Sequence, residues 1–482
     1  MDFDISALLP VLPEIFLLTA ACAILVIDLF LTRETRFFTY GLSLLTLVAT
    51  GALVWAVGGE GRQLLLAGAY VRDPMGDLLK VALLGVTALA FLYSRTYLEQ
   101  RNLFRGEFYV LGLLAVLGMM VMISAAGFIS LYLGLELLAL SMYALVAFDR
   151  RSQRGAEAAM KYFVLGAIAS GMLLYGVSMI YGATGRLDFA GIALSVAGGE
   201  GERMVLLFGL VFVVIGVAFK FGAVPFHMWA PDVYQGAPVV VVALLGSAPK
   251  IAAFAMAVRI LVEGLGALGL GWQGWEGMLT VLAVLSMALG NVVAIAQTNV
   301  KRMLAYSTIS HVGFILLGIL AGTTDGRSAA MFYAITYALT AVGGFGLLAI
   351  LSRKGVEAEN LHDLKGLNER SPWLAGMMLL IMFSMAGVPP LVGFFAKLFI
   401  LDALLQAGLV WLAVVAVIFS VIGAFYYLRV VKVIYFDKPI SHAPIEGGMD
   451  ARIAISLNGL AVLYYGIFPA SLLTACRMAF SG

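Results

Sequence analysis

The chain has 482 residues, of which 62% are hydrophobic and 12% charged, with a formal net charge of +2 and a mean hydropathy of +1.01. That balance excludes an ordinary water-soluble globule, and so small a net charge offers little to a nucleic acid. The two cysteines, Cys22 and Cys476, lie near opposite ends outside any CxxC or Cys/His spacing, so neither an iron–sulfur cluster nor a metal site is encoded.

The N-terminal stretch MDFDISALLP lacks the basic start of a signal peptide, so the first apolar run is expected to stay in the protein. A membrane-crossing helix needs roughly 20 apolar residues. Read with that window, the chain divides into fourteen predicted spans: 11–31, 37–57, 74–94, 108–123, 127–148, 159–183, 204–229, 237–262, 276–296, 303–322, 329–352, 373–402, 408–430 and 451–475. Only the Ser124–Ala126 turn separates the fourth from the fifth, but one helix across both would far exceed the bilayer thickness. The expected fold is an all-α polytopic membrane protein of about fourteen transmembrane helices.

Lys and Arg are retained on the cytoplasmic side of a membrane. Here they concentrate in the loops after odd-numbered spans, as at Arg95, Arg101 and Arg105 or at Arg150, Arg151 and Arg154, and are sparse in the loops after even-numbered spans. Both termini are therefore expected on the non-cytoplasmic side.

Two matches point to an internal repeat. GAVPFHMW at 222–229 resembles AGVPPLVGF at 386–394, with Pro225 and Pro389 aligned, and SMYALVAF at 141–148 resembles STISHVGF at 307–314 at nearly the same offset. That offset equals five spans, and an odd number turns the second copy upside down, as in the inverted repeats of transporters. The expected organisation is a three-helix segment at 1–107, a first five-helix repeat at 108–262, a second, inverted one at 276–435, each with a proline-broken helix, and a C-terminal helix at 451–482.

Inside these runs lie ionisable residues that hydrocarbon does not tolerate, at about 2.5–3.5 kcal/mol for a central charge, unless they face protein or water. Glu136 sits mid-span in LYLGLELLALSMYALVAF. It is either a carboxylic acid held neutral by burial or the partner of Lys220, which stands five residues before the break at Pro225. Lys250 follows Pro249 at the centre of the eighth span, too deep to snorkel. Lys397 lies beyond Pro389 and Pro390 in a run too long for one straight span; it is either a relay group or a lysine reaching the interface. His227 and His311 are candidates to carry protons between the lysines, or else are held by a neighbouring backbone group. Lys80, Lys161, Asp28 and Asp402 lie near span ends, where an interfacial charge needs no further role.

The segments LYLGLELLALSMYALVAF, VAFKFGAVPFHMWAPDVYQGAP, SAPKIAAF and NVVAIAQTNVKRMLAYSTISHVGF together resemble the antiporter-like membrane subunits of respiratory complex I, from about Phe108 to Val433. The chain stops soon after the fourteenth span, unlike the family member with a long C-terminal lateral helix, and carries Lys397 where another member has a glutamate. The resemblance implies that Glu136 and Lys220 form the family's charged pair, that Lys250 is its central lysine and that Lys397 is its terminal one. It further implies a proton path along the mid-membrane, neighbouring antiporter-like and small membrane subunits as partners, and a bacterial inner membrane. NADH, FMN, iron–sulfur clusters and quinone would then be handled by other subunits, because this chain has no GxGxxG between strand and helix and no cysteine cluster. A cation/proton antiporter subunit is the competing expectation, and a scaffold with inert buried charges a third.

Overall fold

The computed structural model describes residues 5–59, 61–269, 271–440, 445 and 447–480; residues 1–4, on which the reading of the N-terminal start partly rests, lie outside the described residues. All fourteen predicted runs are helical. Among the described residues, twelve helices are long and apolar enough to cross a membrane, and a thirteenth span is counted if the pair Met449–Ile467 and Pro469–Met478, bent by 79°, is taken as one. The remaining run, the twelfth, is two 15-residue helices, Pro372–Ala386 and Val392–Gln406. At 1.5 Å per residue each is about 22 Å long and cannot cross alone.

The seventh span is broken in the same way. Helix Arg203–Phe221 ends on Gly222 at φ 74°, and Ala223 N–H reaches back to Ala218 O at 2.8 Å. Helix Pro372–Ala386 ends on Gly387 at φ 87°, and Val388 N–H reaches back to Phe383 O at 2.9 Å. A left-handed residue at this position favours glycine, and the back-reaching bond satisfies one of the helix's last carbonyls. Pro225 and Pro389 follow within three residues and have no N–H with which to continue a helix. The Val224–Pro225 and Pro389–Pro390 bonds are cis.

Burial separates an axis from a rim. Every residue of the apolar window in Val239–Gly264 is buried, as are 94% in Val300–Leu320 and Thr324–Leu351, against 33% in Leu8–Asp28, Phe37–Val57 and Gln153–Thr184. The eighth, tenth and eleventh spans therefore form the interior, and the outer helices present apolar side chains to lipid. The eighth span is itself irregular: it bends between Val239–Leu245 and Ala248–Ala257, and finishes as the π-helix Val258–Gly264.

Of three buried ion pairs, two tie the start of the third span and a loop to this axis, and one ties the first span to the third. Arg259, fully buried in the π-helix, donates to both carboxylate oxygens of Asp73 at 2.6 and 2.8 Å, to Ile123 O and to Glu263. Lys301, also fully buried, donates to Ala237 O at 2.7 Å and faces Glu357 at 3.4 Å. The third corrects an expectation. Lys80 does not reach an interface; it is 2% exposed and pairs with Glu14 at 2.6 Å while donating to Tyr70 Oη at 2.7 Å. The first span runs close enough to the third to cover it, and a buried ammonium then needs its counter-charge inside the protein. Lys161 and Asp402 do lie at the exposed surface.

Candidate functional site

Each broken span leaves backbone carbonyls at its first half's C-terminus, where the helix dipole also puts partial negative charge. A lysine answers each one. Lys250, 1% exposed, donates to Phe221 O at 2.7 Å, with its ammonium 5.6 Å from the centre of the Trp229 ring. Lys397, 9% exposed, donates to Met385 O at 3.2 Å and Ala386 O at 2.9 Å, and to Ser420 Oγ at 2.9 Å. The Phe314 ring lies 5.5 Å from that ammonium. Neither lysine snorkels. Carbonyls and aromatic faces are placed to offset the loss of water when either amine is charged.

Lys220 occupies the last turn of the helix whose final carbonyl accepts from Lys250. It lines a cavity of about 30 Å³ with Tyr143, Tyr162, Ser170 and Trp229, enough for a water. Glu136 accepts a short hydrogen bond from Ser170 Oγ. Among the described residues no ion pair joins Glu136 to Lys220; Ser170, bonded to one and sharing the cavity with the other, stands between them. Glu136 is partly exposed and shares its helix face with the exposed Ile129, Leu133 and Leu140. Carboxylate and lysine are thus linked through Ser170, which bonds Glu136 and lines the cavity with Lys220.

The two histidines part company. His311 is 7% exposed in the tenth span, with Nδ1 2.7 Å from Tyr333 Oη and Nε2 2.9 Å from Tyr427 Oη. A cavity of about 20 Å³ lies between His311 and the twelfth-span break, lined by Tyr333, Thr336, Tyr337, Ser384 and Met385, the last of which accepts from Lys397. His227 sits in the seventh-span break beside the exposed Met228, with Nδ1 buried and unpartnered. Among the described residues no hydrogen bond joins it to Lys220, Lys250 or Lys397. The structure thus brings Lys220 close to Lys250 and His311 close to Lys397, and leaves His227 apart.

Sequence reasoning missed the hydroxyl partners. Ser170, Tyr333, Tyr427 and Ser420 lie in apolar runs 22 to 116 residues from the groups they bond, as with His311 and Tyr333 or His311 and Tyr427. One signal was available for Tyr427: it falls in the doublet Tyr426–Tyr427 inside the thirteenth span, and a buried tyrosine hydroxyl usually finds a partner.

Comparison with known proteins gives the family and the fold. Residues 125–423 match the family described as NADH:quinone oxidoreductase/Mrp antiporter, transmembrane. The NADH-quinone oxidoreductase subunit N of Thioalkalivibrio sulfidiphilus is 58% identical over 482 residues, covering 100% of both chains. A chain of respiratory complex I from Thermus thermophilus with bound aureothin is 31% identical with a TM-score of 0.83, covering 97% of this chain and 99% of that one. A chain of the Mrp complex from Dietzia sp. has a TM-score of 0.85 at 22% identity, covering 99% of this chain and 97% of that one, a likeness of fold alone. With a family model spanning more than half its length and a full-length relative at 58% identity, the chain belongs to the NADH:quinone oxidoreductase/Mrp antiporter membrane-subunit family, in the branch of NADH-quinone oxidoreductase subunit N.

Proposed function

We propose that the chain is a proton-translocating membrane subunit of an NADH:quinone oxidoreductase, in which Glu136, Lys220, Lys250 and Lys397 form a mid-membrane relay. The observation that carries this reading is the pair of buried lysines bonded to the free carbonyl ends of the two broken spans. A proton entering one half loads Lys220 or Lys250, crosses the buried axis past His311 and leaves near Lys397. NADH oxidation, with its FMN and iron–sulfur clusters, and quinone reduction belong to partner subunits. A neighbouring antiporter-like or small membrane subunit covers the flank that exposes Glu136, since a carboxylate there is costly in lipid.

The driving step is electrostatic. A charged Lys250 gains its hydrogen bond to Phe221 O, worth about 1.5–3 kcal/mol for a charged donor, and the favourable end of a helix dipole. A second positive charge arriving on Lys220 opposes that gain. Each 1.36 kcal/mol of such repulsion changes the proton affinity of Lys250 tenfold. A change of charge in a neighbouring subunit that reaches Glu136 would thus pass inward from Lys220 to Lys250. The membrane is the bacterial inner membrane, and the distribution of Lys and Arg supports both termini on its non-cytoplasmic side.

Lys220→Ala in the assembled complex is expected to lower NADH-driven proton uptake by inverted membrane vesicles about tenfold. Unchanged uptake and unchanged quinone-linked NADH oxidation would instead make these charges an inert scaffold. The family match and the likeness to the Mrp complex keep a second reading in view, a cation/proton antiporter subunit. Mild purification separates the two: flavin and iron–sulfur subunits co-migrate with the chain under the first reading, and antiporter subunits alone under the second.

A further inference from the structure

Both ring nitrogens of His311 are engaged by phenols from other spans, Tyr333 of the eleventh at 2.7 Å and Tyr427 of the thirteenth at 2.9 Å. Tyr427 Oη is also in a short hydrogen bond with Ser307, one turn before His311 on the same helix. Tyr337, whose hydroxyl bonds Thr308 at 2.7 Å, closes one side of the ring at 4.9 Å between centroids. Phe314 stacks on Tyr333 and reaches the Lys397 ammonium with its face. The imidazole is thus fixed in orientation and shut away from bulk water. A neutral ring has one N–H donor and one acceptor nitrogen, and hydroxyls serve either role, so this cage suits both tautomers equally.

We propose that Tyr333 and Tyr427 hold His311 and exchange protons with it directly, making the ring a tautomer-switching link on the Lys397 side of the relay. The inference rests on the relay reading and adds two residues and a chemistry to it. In one passage a proton moves from one phenol to the ring nitrogen facing it, while the opposite nitrogen gives its proton to the other phenol. Each phenol then trades its surplus or missing proton with its next neighbour, Ser307 on the Tyr427 side or a water in the 20 Å³ cavity on the Tyr333 side. The ring ends in its other tautomer with its proton count unchanged. Successive protons therefore alternate with a resetting step, so the link passes one proton at a time.

Phenylalanine keeps each ring and removes only the hydroxyl. Tyr333→Phe and Tyr427→Phe are measured in the assembled complex in inverted membrane vesicles, with Tyr93→Phe as the control, since that buried hydroxyl of the third span has no hydrogen-bond partner among the described residues. The readouts are complex content, NADH-driven proton uptake and the solvent deuterium isotope effect on uptake. Tyr333→Phe and Tyr427→Phe are each expected to assemble normally and lower uptake by about tenfold with a larger isotope effect, because proton transfer becomes limiting; Tyr93→Phe stays within about twofold. Uptake in both variants equal to that of Tyr93→Phe overturns the proposal, and so does a fall with an unchanged isotope effect or one explained by lost complex. Lys220→Ala, run alongside, separates the two levels of argument. If it too changes nothing the relay reading fails, whereas a loss in Lys220→Ala without one in the tyrosine variants defeats this inference alone.

Discussion

Lys250→Met in the assembled complex should cut proton uptake and quinone-linked NADH oxidation together by roughly tenfold or more, because a positioned proton-transfer group is lost. Methionine matches the lysine stem in length and fills the same fully buried site, so packing is largely kept. What is lost is the only proton-carrying group at that position, together with the donor to Phe221 O. Lys250→Arg should not rescue the rate. Arginine restores a donor to the carbonyl, but it does not give up its proton at any working pH. A relay therefore predicts that both variants fail, and a purely structural cap predicts that arginine recovers most of the loss. The measurement is proton uptake and NADH oxidation in vesicles with matched complex content.

The second large effect is on stability. Glu357→Ala removes a carboxylate that accepts from Tyr97 Oη at 2.7 Å and Val239 N at 3.0 Å and faces the fully buried Lys301 at 3.4 Å. It joins the third, eighth and tenth spans to the loop after the eleventh. Leaving Lys301 buried without its counter-charge costs about 3–5 kcal/mol. That is enough to lower the melting temperature of the solubilised chain measurably and reduce the amount found in membranes. Burial pushes the Glu357 carboxyl up, but Lys301, the Tyr97 hydroxyl, Arg101 and the Val239 N–H together hold it below its ordinary value. A depressed carboxyl stabilises the fold above its unfolded-state pKa, near 4.3, and loses that contribution as the pH falls through the folded value. Wild type and Glu357→Ala should therefore differ most in melting temperature at neutral pH and converge in acid.

Composition and hydropathy were enough for the spans, because hydrocarbon demands long apolar helices whatever their partners. The breaks were legible too: Pro225 and Pro389 stop a helix by a local mechanism that needs no knowledge of neighbours. Partner choice was not. Lys80 lies about two turns into its helix, a place where a lysine usually reaches the interface, and only the packing of the first span against the third shows that it meets Glu14. Glu14 itself looked unremarkable at the start of the first run. In the same way, nothing local marks Phe221 O or Met385 O as acceptors for lysines 29 and 12 residues away. Depth identified Lys250 and Lys397 as functional candidates, but their common role as donors to broken helices became visible only in three dimensions. Glu136 and Lys220 were expected to face each other, yet Ser170 and a small cavity stand between them.

The claim beneath all of this is that Lys250 and Lys397 act in series on one proton path. Groups that act as a unit show non-additive losses, and independent groups show losses that multiply. The decisive measurement is the rate of NADH-driven proton uptake for Lys250→Met, Lys397→Met and the double variant at equal complex content. A serial path predicts that each single variant is strongly impaired and that the double variant is no slower than the worse of the two. Losses that multiply in the double variant, or a single variant that pumps at the wild-type rate, would contradict it.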